Sequence, residues 1–263
     1  MTLLVFKALW GMTGGLEQQL EQIAGAGYEG VEAWIEGIAL PPQTFRRLVA
    51  SYDLKLIIAG PINHKADIEP ILQHFAAFEP LKINLHSGRD SFTHDEGCAF
   101  FETALTVQTA LGLPVAHETH RGRLLFTPWD TAFYLRQFPE LCLTADYSHW
   151  VNVCERLPDD QQAALEAANQ RAIHIHGRVG YEEGPQVPDP RALEYAAQVA
   201  WHEQQWQRIQ ANHAALDETL TFTPEYGPPP YLHTLPYTNV PVADLWTICL
   251  YGMERARLTL GTE

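Results

Sequence analysis

The stretch from Pro114 to Arg123 reads PVAHETHRGR, with two histidines and a glutamate inside four positions. In the helical zinc motif His-Glu-x-x-His the two histidines stand four apart, so that one helix face presents both to a metal. Here His117 and His120 are three apart. The run LGLPVAHETH places a proline after a glycine turn and continues into a short apolar segment, which predicts a strand beginning at Pro114. Alternate residues of a strand share a face, so Glu118 and His120 point one way while His117 and Thr119 point the other. The stretch is therefore a strand that carries a carboxylate and an imidazole to its end, and the fold depends on what lies beside it.

Seven further apolar runs of similar length occur along the chain: LLVFKALWG, GVEAWIEG, LKLIIAG, LKINLHSG, LCLTADYSH, AIHIHGR and TFTPEYG. The central residues of the eight are Val5, Val31, Ile57, Ile83, Val115, Leu143, Ile173 and Phe222, spaced by 26, 26, 26, 32, 28, 30 and 49 positions. That spacing suits a repeated unit of strand, loop, helix and loop. The intervening segments carry helical periodicity: Ile68, Ile71, Leu72 and Phe75 fall at i, i+3, i+4 and i+7, and Leu16, Leu20, Ile23 and Ala24 make a similar stripe. Near-continuous apolar strands alternating with amphipathic helices imply a parallel sheet covered by helices, and eight such units match a single closed (β/α)8 TIM barrel over residues 1–263. An open doubly wound sheet would carry a glycine-rich phosphate turn after the first strand, and WGMTGG does not fit Gly-x-Gly-x-x-Gly. Long loops are expected near 178–191 and 226–241, after the seventh and eighth strands, where loops often serve as functional lids.

Composition narrows the function classes. With 17 basic and 32 acidic side chains, the formal charge of -15 opposes a polyanion over most of the surface, so nucleic acid is not an expected partner. No run approaches membrane-spanning length. The opening MTLLVFKALWG is apolar but interrupted by Lys7, and reads as a first strand rather than a signal peptide. Cys98, Cys142, Cys154 and Cys249 are scattered and form no Cys-x-x-Cys pair, which fits a reduced, cytoplasmic setting.

In a parallel barrel the C-terminal strand ends open on one face, where catalytic groups gather. Read in turn, those ends carry Glu32, His86, Glu118 with His120, Asp146 with His149, His176 with Arg178, and Glu225. Taken singly, a strand-end histidine is more often a hydrogen-bonded rim residue than a ligand. Taken together, several carboxylates converging in one cup repel one another unless a cation neutralises them. Glu118, Asp146, His176 and Glu225 would form a mostly oxygen site suited first to manganese, with magnesium or cobalt compatible and zinc expected to draw more nitrogen or sulfur. His174 and His176 share a strand face; His176 is preferred as the residue nearer the mouth, with His174 filling the layer below.

The eight-strand count together with HETHRGR, TADYSHW, HIHGRVG and TPEYG resembles the xylose isomerase-like barrel superfamily, which includes ketose 3-epimerases, hydroxypyruvate isomerases, inosose dehydratases and endonuclease IV. The resemblance covers essentially the whole chain. Its most specific parts are Asp146-x-x-His149 after strand six and the glutamate ending strand eight. In the sugar epimerase branch, the pattern Glu, Asp, His, Glu binding one metal falls on Glu118, Asp146, His176 and Glu225. The resemblance makes His149 and Arg178 substrate-contacting positions, and His86, His120, Glu32 and Trp10 complete the expected substrate-facing set, with His86 and Glu32 also placed to orient ligands. Arg178 has a competing role, an ion pair with Glu182 or Glu183. Arg121 and Arg123 begin the loop after strand five, within reach of a carboxylate or phosphate on a substrate.

The implied activity is that of a metal-dependent isomerase or epimerase acting on a small sugar, sugar acid or sugar phosphate through a metal-stabilised enediolate. Glu118 and Glu225 would flank the reacting carbon, one removing a proton and the other returning one. Alternatives on the same scaffold are a lyase or dehydratase, an endonuclease IV-like phosphodiesterase and a non-catalytic sugar-binding barrel. The nuclease would need more histidines, including an Asp-x-His element after strand seven, and RVGYEEGPQVPDP contains none. Oligomeric state is left open by the sequence, although a homodimer is common among the proteins it resembles.

Overall fold

In the computed structural model of the chain, which describes residues 2–261, all eight runs form strands: β1 (Thr2–Ala8), β2 (Gly30–Trp34), β3 (Lys55–Ile62), β4 (Lys82–Ser87), β5 (Val115–Glu118), β6 (Leu143–Ala145), β7 (Ala172–His176) and β8 (Thr219–Thr223). They pair in sequence order, each parallel to the next, and β8 pairs with β1 to close the barrel. The fold is a single (β/α)8 TIM barrel, as the spacing predicts. The register decides which side chains enter its interior. Val31, Ile58, Ile83, Val115, Leu143, Ile175 and Phe222 lie on outward rows and are buried beneath the helices.

The helical stripes read from the sequence are the faces that cover the strands. Leu20 and Ile23 of α1 (Leu16–Gly25) are buried, as are Ile68, Leu72 and Phe75 of α3 (Ile68–Ala76), the helix that follows α2 (Pro42–Ala50). Helix α4 (His94–Leu111) starts at a capping box in which Thr93 and Glu96 satisfy each other's backbone N–H groups, and stops where Gly112 takes φ 65°. Helices α5 (Pro128–Gln137) and α6 (Tyr147–Cys154) start on the capping side chains of Thr127 and Asp146. The outer ring is completed by α7 (Gln162–Asn169), α8 (Ala196–Leu216) and α9 (Leu245–Leu260). Trp206 of α8 meets Phe222 of β8 edge-on at 5.3 Å between ring centroids. Among the described residues no helix is long and apolar enough to cross a membrane.

The fifth strand ends as its alternation requires. His117 turns outward, with Nδ1 2.7 Å from the Ser87 hydroxyl and its ring edge-on to Phe101 of α4. Glu118 turns inward. Where a barrel interior is ordinarily packed by valine, isoleucine and leucine, the inward rows here carry Glu32, Lys82, Asn84, Glu118, His174, His176, Thr221 and Thr223, all buried. Buried polar groups in such numbers have to satisfy one another, and the candidate site grows out of that requirement.

The two long loops are tied together. Buried Gln186 accepts a hydrogen bond from the Gly227 N–H at 2.7 Å and donates to the Gly227 carbonyl at 3.2 Å. One side chain thus satisfies both backbone groups of a buried irregular segment and fixes the loop after β7 to the loop after β8.

Candidate functional site

His176, the last residue of β7, stands at the centre of the polar cluster. Its Nε2 lies 3.0 and 3.2 Å from the two carboxylate oxygens of Glu32. Its Nδ1 lies 3.1 Å from Glu225 Oε2, 3.5 Å from Glu118 Oε2 and 3.9 Å from Asp146 Oδ2. Glu118, Asp146, His176 and Glu225 each offer one ligand atom, and these atoms lie within 4.8 Å of one another. His174 sits one layer deeper on the same face, with Nε2 3.1 Å from Glu32 and Nδ1 2.7 Å from the Thr221 hydroxyl, and stands outside that four-residue group.

Each member is held by identifiable partners. Asn84 donates to Glu118 at 2.8 Å and to Glu32 at 3.2 Å, and His86 Nε2 lies 2.9 Å from Glu118. Thr223 donates to Glu32 at 2.7 Å. Asp146 caps α6: its Oδ1 accepts from the Ser148 N–H at 3.1 Å and from the Ser148 hydroxyl, which leaves Oδ2 for the cluster. Thr119, the residue that follows β5, donates to the Asp146 carbonyl at 2.9 Å and accepts from its N–H at 2.8 Å, locking the end of strand five to that cap.

Charge is distributed as the geometry dictates. Burial raises the pKa of Glu118, but His86 and His176 beside it hold its carboxyl well below the usual range. Glu32 behaves in the same way between His176 and His174. Burial alone would push His176 down, yet Glu225, Glu32 and Glu118 surround it and keep its pKa well above that of an ordinary histidine. Asp146 is lifted to about 6 by burial, against the pull of Arg178. His176 Nδ1 and Glu118 Oε1 are both buried and have no hydrogen-bond partner. An imidazole nitrogen facing three carboxylate oxygens, with two unpartnered buried atoms among them, fits a divalent cation.

Arg178 takes a different place from the surface ion pair with Glu182 or Glu183. It is buried, donates to Asp146 Oδ2, to Ser148 Oγ at 3.1 Å and to the Glu225 carbonyl at 3.2 Å, and pairs with the Glu225 carboxylate at 3.2 Å. Glu182 instead accepts from Gln198 at 3.1 Å. Barrel closure explains the difference, since it brings Asp146 and Glu225, 32 and 47 positions away, closer than residues four and five along the loop.

A cleft of about 930 Å³ opens over the cluster and is lined by Glu32, His86, Glu118, His120, Arg178 and Glu225, with Trp10 on its wall. His149 does not line it; fully buried, it is reached through Arg178, which donates to its Nε2 at 2.8 Å. The His120 ring bridges His86 and His149 at centroid distances of 4.3 and 3.8 Å, and burial holds both His120 and His149 well below the ordinary histidine pKa. Trp10 meets Tyr231 edge-on at 5.1 Å, and Tyr231 also covers Arg178 at 4.9 Å. Asn84, Ser148, Thr223 and Tyr231 join the site without belonging to the set of strand-end residues expected from the sequence. Asn84 and Thr223 lie two residues before His86 and Glu225 and were within reach of a period-two reading; Tyr231, on an irregular loop, gave no such signal.

No protein-family model matches the chain, and no curated protein matches it by sequence. Solved structures do match. D-psicose 3-epimerase, crystallised in the presence of D-fructose, aligns over 100% of both chains with a TM-score of 0.63 and 13% identity. A probable 3-DHS dehydratase from Bacillus anthracis aligns over 97% of this chain and 98% of its own, with a TM-score of 0.61 and 15% identity. An AP endonuclease of family 2 from Brucella melitensis aligns over 87% and 93%, with a TM-score of 0.59 and 14% identity. At these identities the likeness is one of fold. The chain has the fold of the xylose isomerase-like TIM barrels, the group its motifs resemble.

Proposed function

We propose that the protein is a divalent-metal-dependent enzyme that moves a proton at the carbon beside a carbonyl group, epimerising or isomerising a small carbohydrate-like substrate. The observation that carries this reading is the position of His176 Nδ1, which faces carboxylate oxygens of Glu225, Glu118 and Asp146 at 3.1, 3.5 and 3.9 Å. Glu118, Asp146, His176 and Glu225 would hold the cation, with manganese the first choice for three carboxylates and one imidazole. When bound, the cation supplies Lewis acidity that makes a hydrogen beside a carbonyl easier to remove.

The chain's own groups divide the remaining work. Glu32 accepts the His176 Nε2–H and leaves Nδ1 directed at the cluster. Glu118, whose carboxyl is held well below the usual range and whose Oε1 is unpartnered, would take or return the proton, with Glu225 of the loop after β8 as its counterpart in the cleft. Arg178 keeps its charge beside Asp146 and Glu225 and limits the repulsion between them. His86 and His120 on the rim are positioned to contact substrate oxygens. The fold is shared with a probable dehydratase, whose chemistry would begin with the same proton removal and end in loss of hydroxide.

The test is proton NMR in deuterium oxide with a panel of ketoses, aldoses, sugar acids and inososes. Deuterium should enter the carbon next to the carbonyl with manganese present, and exchange should vanish with EDTA and with Glu118→Gln. Loss of hydroxide would identify a dehydratase. An absence of exchange with every compound in metal-loaded protein would refute the proton-transfer reading.

A further inference from the structure

The cleft extends well past the polar cluster. On one side it ends at Glu118, His86 and Arg178; on the other it continues between the loop after β1 and the loop after β2, lined by Leu16, Trp34, Ile38, Leu40, Phe45 and Leu48, with Glu17 and Gln19 of α1 at its edge. Leu16, Ile38, Leu40 and Leu48 are half-buried: they rest on the core and still present surface to the cleft. Trp34 forms the joint between the halves. Its ring meets His86 at 4.7 Å, and His86 in turn lies 2.9 Å from Glu118. The indole N–H is taken by Glu36 at 3.0 Å, so the ring can offer the cleft an apolar face with no unsatisfied donor.

The charged groups set the other limit. Among the described residues lining the cleft, Arg178 is the sole lysine or arginine, and it is engaged by Asp146 and Glu225. Of the two arginines that begin the loop after β5, Arg121 donates to Asn152 at 3.1 Å, and Arg123 donates to Asn63 at 2.8 Å and to the Gly88 carbonyl at 3.2 Å. The apolar half therefore offers no free cation for a phosphate or carboxylate. The cleft as a whole, polar and apolar parts together, has a volume of about 930 Å³, near the top of the roughly 300–1,000 Å³ range of sites that enclose drug-sized ligands.

Resting on the proton-transfer reading above, we infer that the substrate is an α-hydroxy carbonyl compound bearing an uncharged, ring-sized apolar substituent, with its polar head at Glu118 and Glu225 and its apolar arm against Trp34, Ile38 and Leu40. A phosphorylated sugar does not suit this cleft. An unsubstituted sugar fills its polar half and leaves the apolar surface wet.

Two probes share one reacting group: 1-hydroxybutan-2-one, and 1-hydroxy-4-phenylbutan-2-one with its phenyl ring too distant to alter the acidity of the C1 hydrogens. With the manganese-loaded 263-residue protein, C1 exchange in deuterium oxide is followed by NMR, and binding by quenching of tryptophan fluorescence. Burial of the ring should tighten binding and lower KM by about 10- to 100-fold. The double variant Ile38→Asn/Leu40→Asn, changed at half-exposed loop positions, should narrow the difference between the ketones to within about threefold. Exchange of both ketones with equal KM and equal binding would overturn the inference and leave the proton-transfer reading standing. Preferential, variant-sensitive binding of the phenyl ketone without exchange of either ketone or of any compound in the carbohydrate panel would support the apolar arm and overturn the proton-transfer reading.

Discussion

Replacing Glu32 by glutamine tests whether the buried polar network is held together by charge. The carboxylate accepts from Asn84 at 3.2 Å, His176 at 3.0 Å, His174 at 3.1 Å and Thr223 at 2.7 Å. Glutamine keeps the shape and one oxygen, and places an amide N–H₂ against two of these four partners. The Thr223 hydroxyl can turn to accept from it; an N–H of Asn84, His176 or His174 cannot. The expected loss is one or two charge-assisted hydrogen bonds at about 1.5–3 kcal/mol each, or about 3 kcal/mol in all. For a chain of this size that lowers the melting temperature by about 6–12 °C. Because His176 loses the acceptor that orients its ring, affinity for manganese should fall about 10- to 100-fold as well.

The pH dependence fixes the sign. Glu32 has a folded pKa held well below that of the free carboxyl. Its contribution is therefore fully present above the unfolded pKa of about 4.3 and is lost as pH falls through and below that value. Urea unfolding of EDTA-treated wild type and Glu32→Gln should show the full difference at pH 7 and a shrinking one below about 4.3. A variant within about 1 kcal/mol of wild type at pH 7 would refute the reasoning.

Further outcomes follow from other parts of the molecule. Lys82 lies in the barrel interior and donates to the Ile173 carbonyl, and burial lowers its pKa from 10.5 to about 8. Its charged form is the costly one, so Lys82→Met should be more stable than wild type by about 1–3 kcal/mol at pH 7, and the gap should close as pH rises through about 8 towards 10.5; a less stable variant at pH 7 in urea unfolding contradicts this. A cation at one hundred times its dissociation constant should raise the melting temperature by about 5–10 °C over the EDTA-treated protein, from about 2.7 kcal/mol of linkage; equal melting curves would speak against a bound metal. A Cβ on Gly227 would stand 2.0 Å from the Trp10 ring, so Gly227→Ala should shift tryptophan fluorescence and destabilise by about 1–3 kcal/mol, and an unchanged emission spectrum would argue against that contact.

The fold was legible because its signal repeats. Each of the eight central residues from Val5 to Phe222 lies in a strand, and the outward His117 and inward Glu118 obey the alternation read from PVAHETHRGR. The gathering of Glu118, Asp146, His176 and Glu225 followed from the parallel barrel, which brings all strand ends to one face. What escaped was whatever depends on neighbours across the barrel. The sequence neighbours of Arg178 suggested Glu182 and Glu183, while its spatial neighbours are Asp146 and Glu225. The charged and histidine side chains at the barrel mouth do not include Asn84, inside β4, or Thr223, the last residue of β8, although these hold Glu118 and Glu32 in place. The apolar half of the cleft draws residues from α1, the loop after β2 and α2, segments whose meeting no local pattern records.

The central claim is that Glu118, Asp146, His176 and Glu225 hold a divalent cation, and anomalous diffraction from manganese-soaked crystals at the manganese edge tests it most directly. A single strong peak bonded to His176 Nδ1 and to carboxylate oxygens of Glu118, Asp146 and Glu225 is the expected result. A map with no peak among these four side chains, or with manganese only on other residues, would contradict it.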